Sequence, residues 1–206
     1  MTVTKWLFLV ALAGHLLCGL CDCWLTYLPS GRFRFEDMKD NRKLSAVFAG
    51  MPPRSAILSM VLGCLAMCMM FFGYLALALW MRPISPVHAK LMMLAVGLIF
   101  TFGVAHHILC GVPEWLYVRL GRTEEARRII TELFKKTSAT MFVCYAGFLL
   151  FGAALFAAVV SGVTPLPRWA CVCNMTLLML VLAPTRLGGS GNWAGALMFL
   201  GLLFLF

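Results

Sequence analysis

Long apolar runs constrain this chain more than any other feature. Four of them stretch from about Trp6 to Trp24, Ala56 to Trp80, Lys90 to Cys110 and Ala139 to Val160. A helix of about 20 apolar residues is about 30 Å long, which matches the hydrocarbon thickness of a bilayer. Two shorter runs follow, Trp169–Leu182 and Trp193–Phe206. None alternates with period two, as strands of a transmembrane barrel do. With 62% hydrophobic and only 12% charged residues, the chain has more apolar surface than a soluble domain can bury. The expected fold is all-α: a polytopic transmembrane helical bundle of about six spans, forming one domain over residues 1–206. The first run follows Lys5 and resembles a signal peptide, but His15 and Asp22 interrupt it, so it is expected to remain as a membrane helix.

One short pattern occurs twice. His15-Leu-Leu-Cys18-Gly19-Leu-Cys-Asp22 returns as His107-Ile-Leu-Cys110-Gly111-Val-Pro-Glu114, each time just before a Trp-Leu pair. Phe8 and Phe100, and Ala13 and Ala105, fall in the same register. The chain therefore reads as a degenerate repeat of helix hairpins, residues 1–81 and 86–163, with a C-terminal hairpin over 166–206. A pseudo-twofold axis along the membrane normal would relate the first two hairpins. His15 would then face His107, with Gly19 and Gly111 at the closest helix approach and His106 pointing elsewhere.

The connectors carry most of the charge. Of 17 Lys and Arg, six lie in Leu28–Arg54, six in Trp115–Thr137, and Arg186 lies between the last two runs. By the positive-inside rule this face is cytoplasmic and both termini point outward. The net charge of +9 reads as cytoplasmic loops meeting anionic headgroups, and no basic stretch forms a nucleic-acid-binding domain. In the second connector Thr123 is an N-cap, acids fill the first turn, and Lys135 and Lys136 fill the last. Ile129, Ile130, Leu133 and Phe134 make one stripe, expected to lie on the membrane surface or to dock a partner. Pro113 and Glu114 are expected to end the third helix.

The polar residues inside the apolar runs are the functional candidates, because ionisable groups are costly there. Histidine and cysteine at i,i+3 share a helix face, as do cysteine and the carboxylate at i,i+4. His15, Cys18, His107 and Cys110 could bind one tetrahedral transition-metal ion such as zinc. The same histidines could instead hydrogen-bond between helices. Cys64, Met67, Cys68, Met69 and Met70 suit copper by ligand softness and core packing by shape. Cys18 and Cys21 have thiol-exchange spacing, although most of the nine cysteines lie in apolar runs and read as reduced packing residues. The stretch Pro184–Asn192 is a glycine-rich turn before a helix, and its N–H groups could cradle an anion.

Gly19-Leu-Cys-Asp22, Pro29-Ser-Gly31, His107 before Gly111-Val-Pro113, and Gly191-Asn192 resemble an uncharacterised bacterial family of multi-pass inner-membrane proteins over most of the chain. That resemblance implies a bacterial inner-membrane location and supplies no mechanism.

Three functions fit these residues. The first is an intramembrane His/Cys/carboxylate site, metal- or proton-linked. The second is a membrane enzyme on a lipid or lipid-linked substrate, with Asp22, His107, Glu114 and Arg186 converging at the cytoplasmic interface. The third is a non-catalytic transporter subunit, sensor or assembly factor, whose partner is another membrane protein.

Overall fold

The computed structural model describes residues 2–206. Its long elements are α1 (Val3–Thr26), α3 (Pro53–Met81), α4 (Pro86–Arg119) and α6 (Ala139–Val160), the last preceded almost without a break by α5 (Glu124–Thr137). The first connector contains a hairpin of β1 (Tyr27–Leu28) and β2 (Gly31–Arg32), a 3-10 turn at Phe35–Lys39, and α2 (Asn41–Val47). After α6 come α7 (Met175–Leu182) and α8 (Ser190–Leu205). Apart from the small hairpin the fold is all-α. Among the described residues four helical segments are long and apolar enough to cross a membrane: Val3–Thr26, Pro53–Met81, Pro86–Arg119 and Glu124–Val160. The C-terminal helices are shorter. The eight residues of α7 reach only about 12 Å.

The boundaries follow local chemistry. Thr2 caps α1 by accepting from the Lys5 N–H at 3.3 Å. Proline opens both α3 and α4, where its missing N–H would have had no helical partner. Thr123 caps α5 through the Ala126 N–H at 3.2 Å. One expectation fails here. Pro113 lies inside α4, and the helix continues to Arg119. Pro113 is buried, Tyr117 one turn later is fully buried, and the Tyr117 hydroxyl bonds Asn41 at 2.7 Å. These tertiary contacts hold the last turns against the lost helical hydrogen bond.

The helices pack in the order α8, α1, α3, α4, α6, with α7 bridging α6 and α8. Phe8, Tyr74, Phe151 and Phe199 centre the main core, while outward faces such as Leu65, Leu94 and Leu149 remain exposed, as lipid-facing residues would. A second core lies under the connectors, built from Leu25, Met38, Leu44, Phe48, Tyr117 and Ile130. The apolar face of α5 therefore serves this core. Ile130 is buried and Phe134 meets Phe35 at 5.0 Å, but Ile129 points away and is 44% exposed. The four-residue stripe expected from the sequence is thus divided. Ile129 and Ile130 lie about 100° apart on the helix, and the inward row is Ala126, Ile130 and Phe134 at i,i+4 spacing.

Candidate functional site

The two copies of the repeated pattern have different surroundings. α3 lies between α1 and α4, and α8 lies along the other side of α1. His15 therefore does not face His107. It is completely buried, with Nδ1 3.2 Å from Asn192 Oδ1 and Nε2 3.1 Å from the Tyr74 hydroxyl. Gly19 meets the Trp193 indole, and Gly111 meets Met60. Neither glycine marks an approach of α1 to α4, because two helices running the same way each pack against the helix that returns between them. Both histidine rings do share one device. His15 lies over Gly195 of α8 and His107 over Gly63 of α3, and a Cβ at either glycine would overlap the ring.

His107 is the centre of the site. Its Nε2 lies 3.0 Å from the Ser59 carbonyl oxygen, which can only accept, so Nε2 carries a proton. Its Nδ1 lies 3.6 Å from Asp22 Oδ1. In the neutral ring Nδ1 is a lone pair, and it faces a carboxylate lone pair. A proton or a metal ion between them would relieve that repulsion. Cys18 comes from the turn of α1 preceding Asp22, and a ligand atom from each of Cys18, Asp22 and His107 lies within 4.8 Å of the others. Asp22 Oδ2 accepts from Asn192 Nδ2 at 2.8 Å. The Asn192 amide is thereby oriented, and its oxygen accepts a hydrogen bond from the His15 Nδ1–H. A continuous polar chain runs from Tyr74 through His15, Asn192 and Asp22 to His107.

The expected set of His15, Cys18, His107 and Cys110 is not assembled. His15 belongs to the packed side of the chain, and Cys110 lies 3.5 Å from His106 Nε2. Asp22 takes a place beside Cys18 and His107. The helix geometry explains this: Cys18 and Asp22 lie one turn apart on α1, so both reach the face met by the His107 ring.

Next to this cluster opens a cavity of about 570 Å³. Asp22, His107, Glu114 and Arg186 all line it, as do Cys18 and Cys110. Glu114 is only 6% exposed, and its Oε2 has no hydrogen-bond partner. Arg32 and Arg34 come from the first connector, while Met67, Met70, Phe148 and Met175 belong to the main helical core. Cys64 and Cys68 are not among the lining residues, so the methionines of this cluster serve as packing and cavity wall.

Most backbone N–H groups of the glycine-rich turn are already paired. The Leu187 N–H goes to Thr185 Oγ1, the Gly188 N–H to the Tyr27 hydroxyl, and the Ser190 and Asn192 N–H groups to carbonyls within the turn. Gly189, at φ 68°, sits against Asp22, and Trp193 Nε1 donates to Gly188 at 2.9 Å. The turn clamps α8 onto α1 and delivers Asn192 to Asp22. In the sequence Asn192 stands out only as the end of the glycine-rich turn and not as a site residue. An amide one residue before Trp193, at the start of an apolar run, was the available signal. Ser59, Tyr74, Gly63 and Gly195 gave none, because their roles depend on which helices touch.

A family model matches residues 1–203. The chain belongs to DUF6796, a family of unknown function. No curated protein and no solved structure matches it. An uncharacterised family was expected from the short motifs around Asp22 and His107, and those motifs contribute the cluster in this member of DUF6796.

Proposed function

We propose that this membrane protein holds a transition-metal ion, of which zinc is the type, at Cys18, Asp22 and His107. One observation carries the reading: three donor atoms of different side chains converge, and the imidazole among them has its other nitrogen tied to a backbone carbonyl. That outer contact fixes the tautomer of metal-ligating histidines. A tetrahedral zinc site places its ligand atoms about 3.4–3.6 Å apart. The cluster must therefore contract by about 1 Å, within the reach of side-chain rotation. Three protein ligands with a fourth side open to a cavity is the pattern of a site that exchanges water or substrate. Asn192 would orient Asp22, and His15 would orient Asn192. Metal uptake displaces protons from such ligands.

The test is metal analysis of detergent-purified protein by mass spectrometry, before and after zinc incubation and dialysis. One zinc per chain is expected, lost in Cys18→Ser, Asp22→Asn and His107→Ala. Substoichiometric metal in the wild type after incubation would overturn the proposal, as would its retention in all three variants.

A further inference from the structure

The cavity beside the cluster has a graded lining. At the connector end stand Arg32 and Arg186, joined by a hydrogen bond from the Arg32 guanidinium to the Arg186 carbonyl. Arg34 is paired with Glu36, but among the described residues no carboxylate pairs with Arg32 or Arg186. Arg32 also lies 5.5 Å from the centroid of the Tyr27 ring, which holds it in place. At the opposite end the wall is methionine and phenylalanine: Met67, Met70, Phe148, Met175. Unbranched thioether side chains adapt to flexible hydrocarbon. Between the ends Glu114 presents a buried oxygen with no partner. A buried polar atom left unpaired is costly unless something supplies its hydrogen bond. A volume of about 570 Å³ lies within the usual range for small-molecule sites.

We propose that this cavity binds a single-chain amphiphile with a phosphate-type head and a hydroxyl next to it. The phosphate meets Arg32 and Arg186, since guanidinium forks suit phosphate oxygens. The hydroxyl meets Glu114, and it can donate or accept, so it matches a carboxyl group in either protonation state. The hydrocarbon chain passes the Asp22–His107 cluster and ends among the methionines. The binding site goes beyond the metal site and does not depend on it.

Calorimetry in a neutral detergent tests this with four probes: 1-lauroyl-glycerol 3-phosphate, dodecyl phosphate, monolauroylglycerol and inorganic phosphate. The hydroxylated phosphate should bind saturably, and dodecyl phosphate about tenfold more weakly, the loss of roughly one hydrogen bond. Arg32→Gln and Arg186→Gln should each weaken both phosphate amphiphiles about tenfold. Glu114→Leu should erase the preference between them, and if that variant fails to fold, the wild-type preference alone decides the hydroxyl claim. Amphiphile binding should be the same in the presence of zinc and of a zinc chelator, which separates this result from failure of the metal proposal. Equal binding of monolauroylglycerol would overturn the phosphate head, and equal binding of inorganic phosphate would overturn the chain. Absence of saturable wild-type binding would remove the proposal entirely.

Discussion

Gly63→Ala is a one-carbon change that should disable the site. A Cβ there would lie 2.7 Å from Cε1 of His107, with Nε2 and Cδ2 closer still. Ordinary contact between carbon atoms is about 3.5–4.0 Å, so the ring must move by about 1 Å or more. That movement stretches the 3.0 Å bond from Nε2 to Ser59 past hydrogen-bonding distance and shifts Nδ1 relative to Asp22. Overpacking costs about 1–3 kcal/mol and a broken buried hydrogen bond about 1–3 kcal/mol. Alanine's better helix propensity returns about 1 kcal/mol. The net loss centres near ~3 kcal/mol, or about 6–12 °C in melting temperature for a chain of this size. Gly97→Ala is the control, since a Cβ there meets nothing within 4 Å. It should be neutral or stabilising. Thermal unfolding in detergent and zinc stoichiometry are the readouts. The decisive measurement is a cycle with His107→Ala: once the ring is gone, Gly63→Ala should cost almost nothing. Additive losses, or a Gly63→Ala protein that melts with Gly97→Ala and keeps its zinc, would refute the steric argument.

Other outcomes follow from the same geometry. Asn192→Leu should lower zinc affinity by about 10–100-fold while leaving the ligands in place, as measured by competition with a chelating dye. Cys110→Ser should retain zinc where Cys18→Ser loses it; the opposite result would restore the ligand set expected from the repeat. Zinc affinity should rise with pH, because protons on the thiol, the imidazole and the carboxyl compete with the metal, and a flat titration between pH 6 and 8 would contradict a site containing Cys18 and His107. A cysteine replacing Lys43 should react with an impermeant maleimide in inverted vesicles and not in intact cells; the reverse pattern would invert the proposed orientation of the connector face.

The fold was legible where one segment suffices to define it. The four long apolar helices announce themselves by length and hydropathy, and α5 by Thr123, its acidic first turn and its basic last turn. The errors share a cause. Pro113 was expected to end a helix because proline removes a backbone bond, yet the burial of Tyr117 and its bond to Asn41 hold the helix through it. Ile129 was grouped with Ile130 by helical spacing, although only Ile130 packs into the core beneath the connectors. These are tertiary facts, and periodicity along one helix contains no information about the neighbour.

The repeat shows the same limit at the site. Histidine, cysteine, glycine and a carboxyl group recur at the same spacing, and both copies place the histidine over a glycine of an adjacent helix. What separates them is that neighbour. α8 gives His15 an amide partner in Asn192, so its ring is fully engaged in the packed interior. α3 gives His107 only a backbone carbonyl, and its second nitrogen is left to face Asp22 beside the cavity. The carboxylates diverge for the same reason: Asp22 accepts from Asn192, whereas Glu114 keeps an unpartnered oxygen. Asp22 and His107, drawn from opposite copies, meet because both side chains reach past α3, which lies between their helices. The cluster is therefore a product of the packing order, which the matching spacings of the two copies did not reveal.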